Sequence, residues 1–283
     1  MQCELSDVDD PTHRAAVLAP LSAHNRQATG RTDAGLVLAV PLRDAEQRIV
    51  GGMWGSLWCG WLKLEFAFIP EHRRATGLGS RMLATIEAAA VARGASGMWM
   101  ESFSFQAPGF YQKLGCRVVG VLEDRPVGHS SVFLAKNEGL GAAPAEMVVV
   151  ENPAPEDRAA ISAGLSAYND GFSAGGYRGT LAVLVRDDAG AVIGGLWGRT
   201  SRGWLFVDLL GLPPEARSLG IGTRLMRMAE AEATRRGCVG VWLDTFSFQA
   251  RPFYEKLGYT VFAQIAHYPD DHTRYFLSKR LDR

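Results

Sequence analysis

The sequence predicts an α+β protein in which one unit, a mixed and mostly antiparallel sheet flanked by helices, is built twice in tandem. Three observations predict it. The segment FSFQAPGFYQKLG, Phe103 to Gly115, returns as FSFQARPFYEKLG at Phe246 to Gly258, with ten of thirteen positions identical and an offset of 143 residues. Strand-like alternation and helical periodicity follow one another in the same order in both halves. A Gly/Ala/Pro stretch, KNEGLGAAPAEM, separates the halves and reads as a short linker. The expected domains are residues 1–138 and 145–283.

Each unit opens on a short strand (Cys3–Leu5; Met147–Val150), followed by a helix containing RAAVLAPLSAHN or RAAISAGLSAYN. Here the offset is 144, because the loop after this helix differs by one residue between the halves. Two strands joined by a polar turn come next, GLVLAVPLRD with RIVGGMWGSL and TLAVLVRDD with AVIGGLWGRT. WLKLEFAFI and WLFVDLLGL form the fourth strand. A long helix over Gly79–Arg93 or Gly222–Arg236 has apolar residues at helical spacing and stops at Gly94 or Gly237. A buried strand (GMWMESF; VGVWLDTF), a short helix carrying the repeated segment, and a last strand (SVFLAK; RYFLSK) complete the unit.

The 283 residues hold 30 Lys+Arg and 30 Asp+Glu, so formal net charge is zero, which argues against nucleic-acid binding. The beginning of the chain lacks a basic region followed by an apolar stretch, and no apolar run reaches membrane-spanning length. Cys3, Cys59, Cys116 and Cys238 show no metal-ligand spacing, so no metal site is expected, and buried thiols in a reducing cytoplasm are.

Between the fourth strand and the long helix lies R-x-x-G-x-G in both halves: Arg74, Gly77, Gly79 and Arg217, Gly220, Gly222. Glycines let consecutive N–H groups approach an anion, and the helix that follows presents its positive end to it. A diphosphate suits such a loop. Downstream, Ser104, Ala107, Tyr111, Lys113 and Gly115 recur as Ser247, Ala250, Tyr254, Lys256 and Gly258.

These two motifs, in this order and twice over, resemble the GCN5-related N-acetyltransferase (GNAT) superfamily, and nearly the whole chain resembles two family-sized domains. Serine replaces the family's usual asparagine at Ser104 and Ser247. Pro214 stands three residues before Arg217, as the family pattern has it, whereas the first half has Glu71 there and Pro70 one residue earlier. The resemblance implies acetyl-CoA as cofactor. It implies contacts from Phe68, Arg74, Ala75, Thr76, Gly77, Leu78, Gly79, Ser80 and Ser104 in one half. In the other half they would come from Leu210, Leu212, Arg217, Ser218, Leu219, Gly220, Ile221, Gly222, Thr223 and Ser247. It also implies that Tyr111 and Tyr254 lie near the thioester, able to protonate the departing thiolate; an aromatic core role is the alternative.

The matched carboxylates Glu65 and Asp208 interrupt otherwise apolar strands and need a partner, an exposed edge or a task. They are the candidate bases. Glu101 and Asp244 are expected to face substrate or to bond backbone N–H groups in the turn they enter. Asn25 and Asn169 are expected on the acceptor side. His129 and His272 are expected to be structural, and the tryptophan pairs Trp54/Trp197, Trp61/Trp204 and Trp99/Trp242 to be core. The expected activity is N-acetyl transfer from acetyl-CoA to the primary amine of a small molecule. A cationic amine, an amino acid or peptide-like amine, or an aminoglycoside-type antibiotic would fit. Division of labour between the halves and acyl-CoA sensing with a protein partner are the alternatives. The halves are expected to pair within one chain as a pseudo-dimer, or with another chain.

Overall fold

The computed structural model describes residues 1–31, 35–142, 146–172 and 177–282. The expected domain limits 145 and 283, part of the linker and parts of the two acceptor-side loops lie outside them. The first repeat contains β1 (Gln2–Ser6), α1 (Pro11–Thr29), β2 (Leu36–Arg43), β3 (Ile49–Trp58), β4 (Trp61–Phe68), α2 (Leu78–Val91), β5 (Gly97–Phe103), α3 (Pro108–Lys113), β6 (Arg117–Glu123) and β7 (Ser130–Lys136). The second contains β8 (Val150–Glu151), α4 (Pro155–Asp170), β9 (Gly179–Arg186), β10 (Val192–Ser201), β11 (Trp204–Gly211), α5 (Ile221–Arg235), β12 (Gly240–Phe246), α6 (Arg251–Lys256), β13 (Thr260–Ala266) and β14 (Thr273–Arg280). The α+β class and the mixed sheet are as expected: among the described residues, only the β4–β5 and β11–β12 pairings are parallel.

Local chemistry sets several boundaries. The Asp10 side chain accepts from the N–H groups of Thr12 and His13, Pro11 sits in the first turn, and Gly30 closes α1 in the left-handed region at φ 66°. The strand expected over Met147–Val150 is shorter and later, Val150–Glu151. β6 and β13 were not expected, although RVVGVLE and TVFAQIA carry partial alternation that could have shown them.

The repeats exchange their first elements. β1 pairs antiparallel with β9, from Gln2↔Arg186 to Ser6↔Ala182, and β8 pairs with β2. Helix α1 packs on β10 and β11, and α4 packs on β3 and β4. The packed units are therefore not the contiguous segments 1–138 and 145–283, since each takes its opening strand and helix from the other repeat.

Side-chain volume explains the exchange. A Cβ on Gly164 of α4 would lie 2.1 Å from the Phe68 ring, so the helix has a gap that the ring fills. At the matching place in the other unit, Gly211 replaces Phe68 and Pro20 replaces Gly164. There a Cβ on Gly211 would lie 2.1 Å from the Val17 carbonyl oxygen and 3.2 Å from Pro20 Cγ. Unexchanged packing would set Pro20 against Phe68 and Gly164 against Gly211, a clash in one unit and a void in the other.

Fourteen strands, among the described residues, form one sheet in the order β1-β9-β10-β11-β12-β14-β13-β6-β7-β5-β4-β3-β2-β8. The halves join where Gly120 of β6 faces Ala263 of β13. These are matched positions, and a Cβ on Gly120 would stand 2.3 Å from that of Ala263, so one member of the pair has to be glycine. Around this join lies a core common to both halves, including Trp61, Trp99 and Phe133 with Trp204, Trp242 and Phe276. Burying each such ring contributes about 1.5–3 kcal/mol. Trp61 donates to the carbonyl of His267 at 2.8 Å and Trp204 to that of Asp124 at 2.7 Å, one bond in each direction across the join.

Candidate active site

Parallel strands β4 and β5 pair only from Trp61↔Gly97 to Leu64↔Met100. At the next residue the β3–β4 register jumps, from Gly55↔Leu64 to Trp54↔Phe66, leaving Glu65 unpaired in a bulge. A bulge bends its strand and re-aims the extra side chain. Beyond it β4 leaves β5 and the sheet opens as a wedge, with Glu65 at its apex. The second half repeats this construction: β11 and β12 pair from Trp204↔Gly240 to Val207↔Leu243, and Asp208 occupies the bulge.

At the mouth of each wedge is the glycine loop. Ala75 and Gly77 have φ of 60° and 78°, and Ser218 and Gly220 have 60° and 76°. Alternating left-handed residues turn successive N–H groups to one side and make an anion-binding concavity. Among the described residues, no hydrogen bond engages the backbone N–H groups of residues 75–80 or 218–223, while Arg81 and Arg224 behind them close onto Gly77 and Gly220. Arg74 and Arg217 each donate through Nε, at 2.9 Å, to a carbonyl five residues back, Ile69 and Leu212, and so brace the loop. A row of uncommitted donors at a helix start fits the diphosphate of coenzyme A.

A cavity of about 1120 Å³ runs from the first loop through the wedge toward the join of the halves. It brings together Glu65, Phe68, Arg74, Ala75, Gly77, Gly79, Ser80, Glu101 and Tyr111, along with Asn169 of the exchanged helix α4. Thr76, Leu78 and Ser104 are not in its lining. In the second half Asn25, Asp208, Leu210, Asp244 and Tyr254 meet at a cavity of only about 110 Å³. Leu212, Arg217, Ser218, Leu219, Gly220, Ile221, Gly222, Thr223 and Ser247 line neither cavity.

The difference in volume has a side-chain cause. The Phe68 ring stands between β4 and α4, whereas Gly211 lets the backbone of α1 come down onto β11. Arg14 of α1 then reaches Asp208 and donates to it at 2.9 Å. The matching residue, Arg158, lies over the Phe66 ring at 4.7 Å, and Glu65 accepts instead from the Ser56 hydroxyl at 2.8 Å. One bulge carboxylate is neutralised by a guanidinium, and the other faces the wedge with a hydroxyl for a partner.

Burial raises the pKa of both Tyr111 and Tyr254 above the ordinary phenol value. Tyr111 is half-buried in the large cavity and Tyr254 is 7% exposed. Lys63, on β4 two residues before Glu65, is held below the usual lysine value by burial, opposed by the charge of Glu65.

Other expectations fare differently. Glu101 and Asp244 do not bond turn N–H groups. Glu101 pairs with Arg125, and Asp244 accepts from Arg274 Nε at 3.0 Å. The turn N–H groups go to glutamines: Phe103 N–H donates to Gln106 Oε1 at 2.8 Å and Phe246 N–H to Gln249 Oε1 at 2.9 Å. The same glutamines donate to Asn169 Oδ1 at 2.6 Å and Asn25 Oδ1 at 2.8 Å. Gln106 and Gln249 thus clip each exchanged helix to the repeated segment. Their recurrence in that segment was the available signal, but their partners lie in the other repeat. Ser104 and Ser247 accept from the N–H groups of Ser130 and Thr273, both at 3.2 Å, tying strand ends together. His272 bonds Ser247 at 3.1 Å and His129 meets the Phe105 ring edge-on, so both are structural. The paired tryptophans are core: Trp54, Trp61, Trp99, Trp197, Trp204 and Trp242 are at most 5% exposed. No disulfide joins the four cysteines, and Cys3 is only half-buried. No described helix is long and apolar enough to cross a membrane.

The profile of the Acetyltransferase (GNAT) family matches residues 150–259, within the second repeat. An acetyltransferase of Agrobacterium fabrum is 38% identical over 125 residues, 44% of this chain and 91% of that protein. The blasticidin-S acetyltransferase of Streptomyces morookaense is 42% identical over 101 residues, 35% of this chain and 74% of that protein. The crystal structure of an acetyltransferase from Bacillus cereus aligns with a TM-score of 0.44 and 29% identity, covering 47% of this chain and 96% of that one. Each of these relatives is about as long as one repeat.

Proposed function

Since the chain belongs to the GNAT acetyltransferase family and is an acetyl-CoA-dependent N-acetyltransferase, we propose that it acetylates the amine of a small molecule in the cleft of its first repeat. The observation that carries this reading is the contrast between Glu65, free of a cationic partner among the described residues and facing about 1120 Å³, and Asp208, held by Arg14 beside about 110 Å³.

Bound acetyl-CoA supplies the thioester that carries the transferred group. The uncommitted N–H groups of residues 75–80 would hold its diphosphate at the start of α2. Glu65, at the apex of the wedge, takes a proton from the incoming ammonium, directly or through one water, while Ser56 fixes its other oxygen. Tyr111 keeps its proton because burial disfavours the phenolate, and would be the donor to the thiol sulfur that bound acetyl-CoA would release. Phe66, Phe68 and Phe110 line one apolar wall of the cavity. The relative named for acetylating blasticidin S is in keeping with a small-molecule acceptor.

Thiol release with a panel of amines tests the reading. Glu65→Gln is expected to lower kcat/KM by about 10²–10⁴-fold, the usual span for a lost general base, and Asp208→Asn by less than about threefold. The reverse ranking would place the chemistry in the second repeat.

A further inference from the structure

Among the described residues, Glu65, Glu101 and Asp244 are the carboxylates lining the large cavity, against seven cations: Lys63, Arg73, Arg74, Arg125, Arg158, Arg199 and Arg202. Glu101 and Asp244 are already committed to Arg125 and Arg274. The acceptor side thus has little negative charge to offer a cationic ligand and a surplus of guanidinium. Arg73 and Arg74 belong to the glycine loop. Arg199 and Arg202 do not: they enter from the β10–β11 hairpin of the second repeat.

Arg202 lies over the Phe103 ring at 5.0 Å and Arg199 over the Phe206 ring at 4.9 Å. Arg202 Nε is buried with no hydrogen-bond partner, and among the described residues neither guanidinium has a carboxylate within ion-pair distance. Burial, with Arg178 and Arg125 nearby, holds Arg202 below the usual arginine value, against the opposing charges of Asp170 and Glu101. Aromatic stacking leaves the edge of a guanidinium available for two parallel hydrogen bonds to a carboxylate. The asymmetry follows that of the cavities, because the matching residues of the first repeat are Ser56 and Cys59.

We propose that Arg202 and Arg199 form a carboxylate subsite in the first repeat's cleft, so that the preferred acceptor is an amine that also bears a carboxylate. The Phe103, Phe206 and Trp242 rings line the cavity beside it. This rests on the first-repeat acetyltransferase reading and adds a role for the second repeat, which completes the acceptor site of the first.

Binding of acetylated products tests it without requiring turnover. Calorimetry on the full chain saturated with coenzyme A would compare N-acetyltryptophan with N-acetyltryptamine, which differ by the carboxylate. The wild type is expected to bind the acid at least about tenfold more tightly, the scale of one charge-assisted pair. Arg199→Met/Arg202→Met should bring the ratio to about one, and Arg202→Lys should recover part of it. Equal affinity in the wild type, a ratio unchanged in the double variant, or binding of neither compound would overturn the subsite. Failure of Glu65→Gln to slow amine acetylation would instead overturn the reading beneath it and leave this ratio measurable.

Discussion

Arg14 and Asp208 meet at 2.9 Å although 194 residues separate them, and their ion pair occupies in one half the position that is left open around Glu65 in the other. The pair exists because α1 lies on the opposite repeat's sheet. Its counterpart Arg158 turns to the Phe66 ring, one residue beyond Glu65. Two repeats with matched motifs thereby acquire unlike sites.

Tyr111→Phe is expected to lower kcat by about 10²-fold, at the low end for a lost general acid, and Tyr254→Phe by less than about twofold. Because burial raises Tyr111, the phenol stays protonated well past neutrality, so it should contribute no falling limb to the pH–rate profile below about pH 10. A limb near pH 9 that vanishes in Tyr111→Phe would overturn the raised value, and turnover unchanged in Tyr111→Phe would overturn the acid role.

Gly77→Val and Gly220→Val both force a branched side chain into the left-handed region, at φ 78° and 76°, where nothing crowds the Cβ. The cost is therefore backbone strain, about 1–2 kcal/mol. Titration of acetyl-CoA should show about a tenfold loss for the equivalent that supports turnover in Gly77→Val, with turnover spared in Gly220→Val. Equal loss of turnover from both variants would show that the two wedges work together.

Gly164→Ala places a methyl 2.1 Å from the Phe68 ring. Overpacking of this kind costs about 1–3 kcal/mol, and a fall in Tm of several degrees is expected in calorimetry. Phe68→Leu on the same background should recover part of the loss. A neutral Gly164→Ala would argue that α4 does not pack on β4.

Alkaline unfolding should begin before the arginines and exposed lysines titrate. Burial pushes the Cys116 and Cys238 thiols up to about 11 and raises Tyr111, Tyr254, Tyr259 and Tyr268. The fold favours the neutral form of each. Their contribution is complete below the unfolded values, ~8.5 for thiols and ~10 for phenols, and is lost as pH rises through the folded ones. The urea midpoint should hold from pH 7 to 8 and fall by pH 10.5; a flat midpoint across that span would count against these burials.

The duplication, the α+β class, the two glycine loops, the bulge carboxylates and the paired tyrosines are properties of local spacing, and the sequence alone determined them. Period and recurrence are readable along one chain. The exchange of β1–α1 for β8–α4 is not, because it depends on which of two similar sheets a helix meets, and Phe68 with Gly164 against Gly211 with Pro20 settles that only when the surfaces touch. The same holds for Asn25 and Asn169: their residue type pointed to a site, but only the tertiary structure placed each with the glutamine of the opposite repeat. Cleft volume, the partner of each carboxylate and the entry of Arg199 and Arg202 into the first repeat's cleft were likewise decided in three dimensions, where a single aromatic ring holds one helix off its sheet and a glycine lets the other come down.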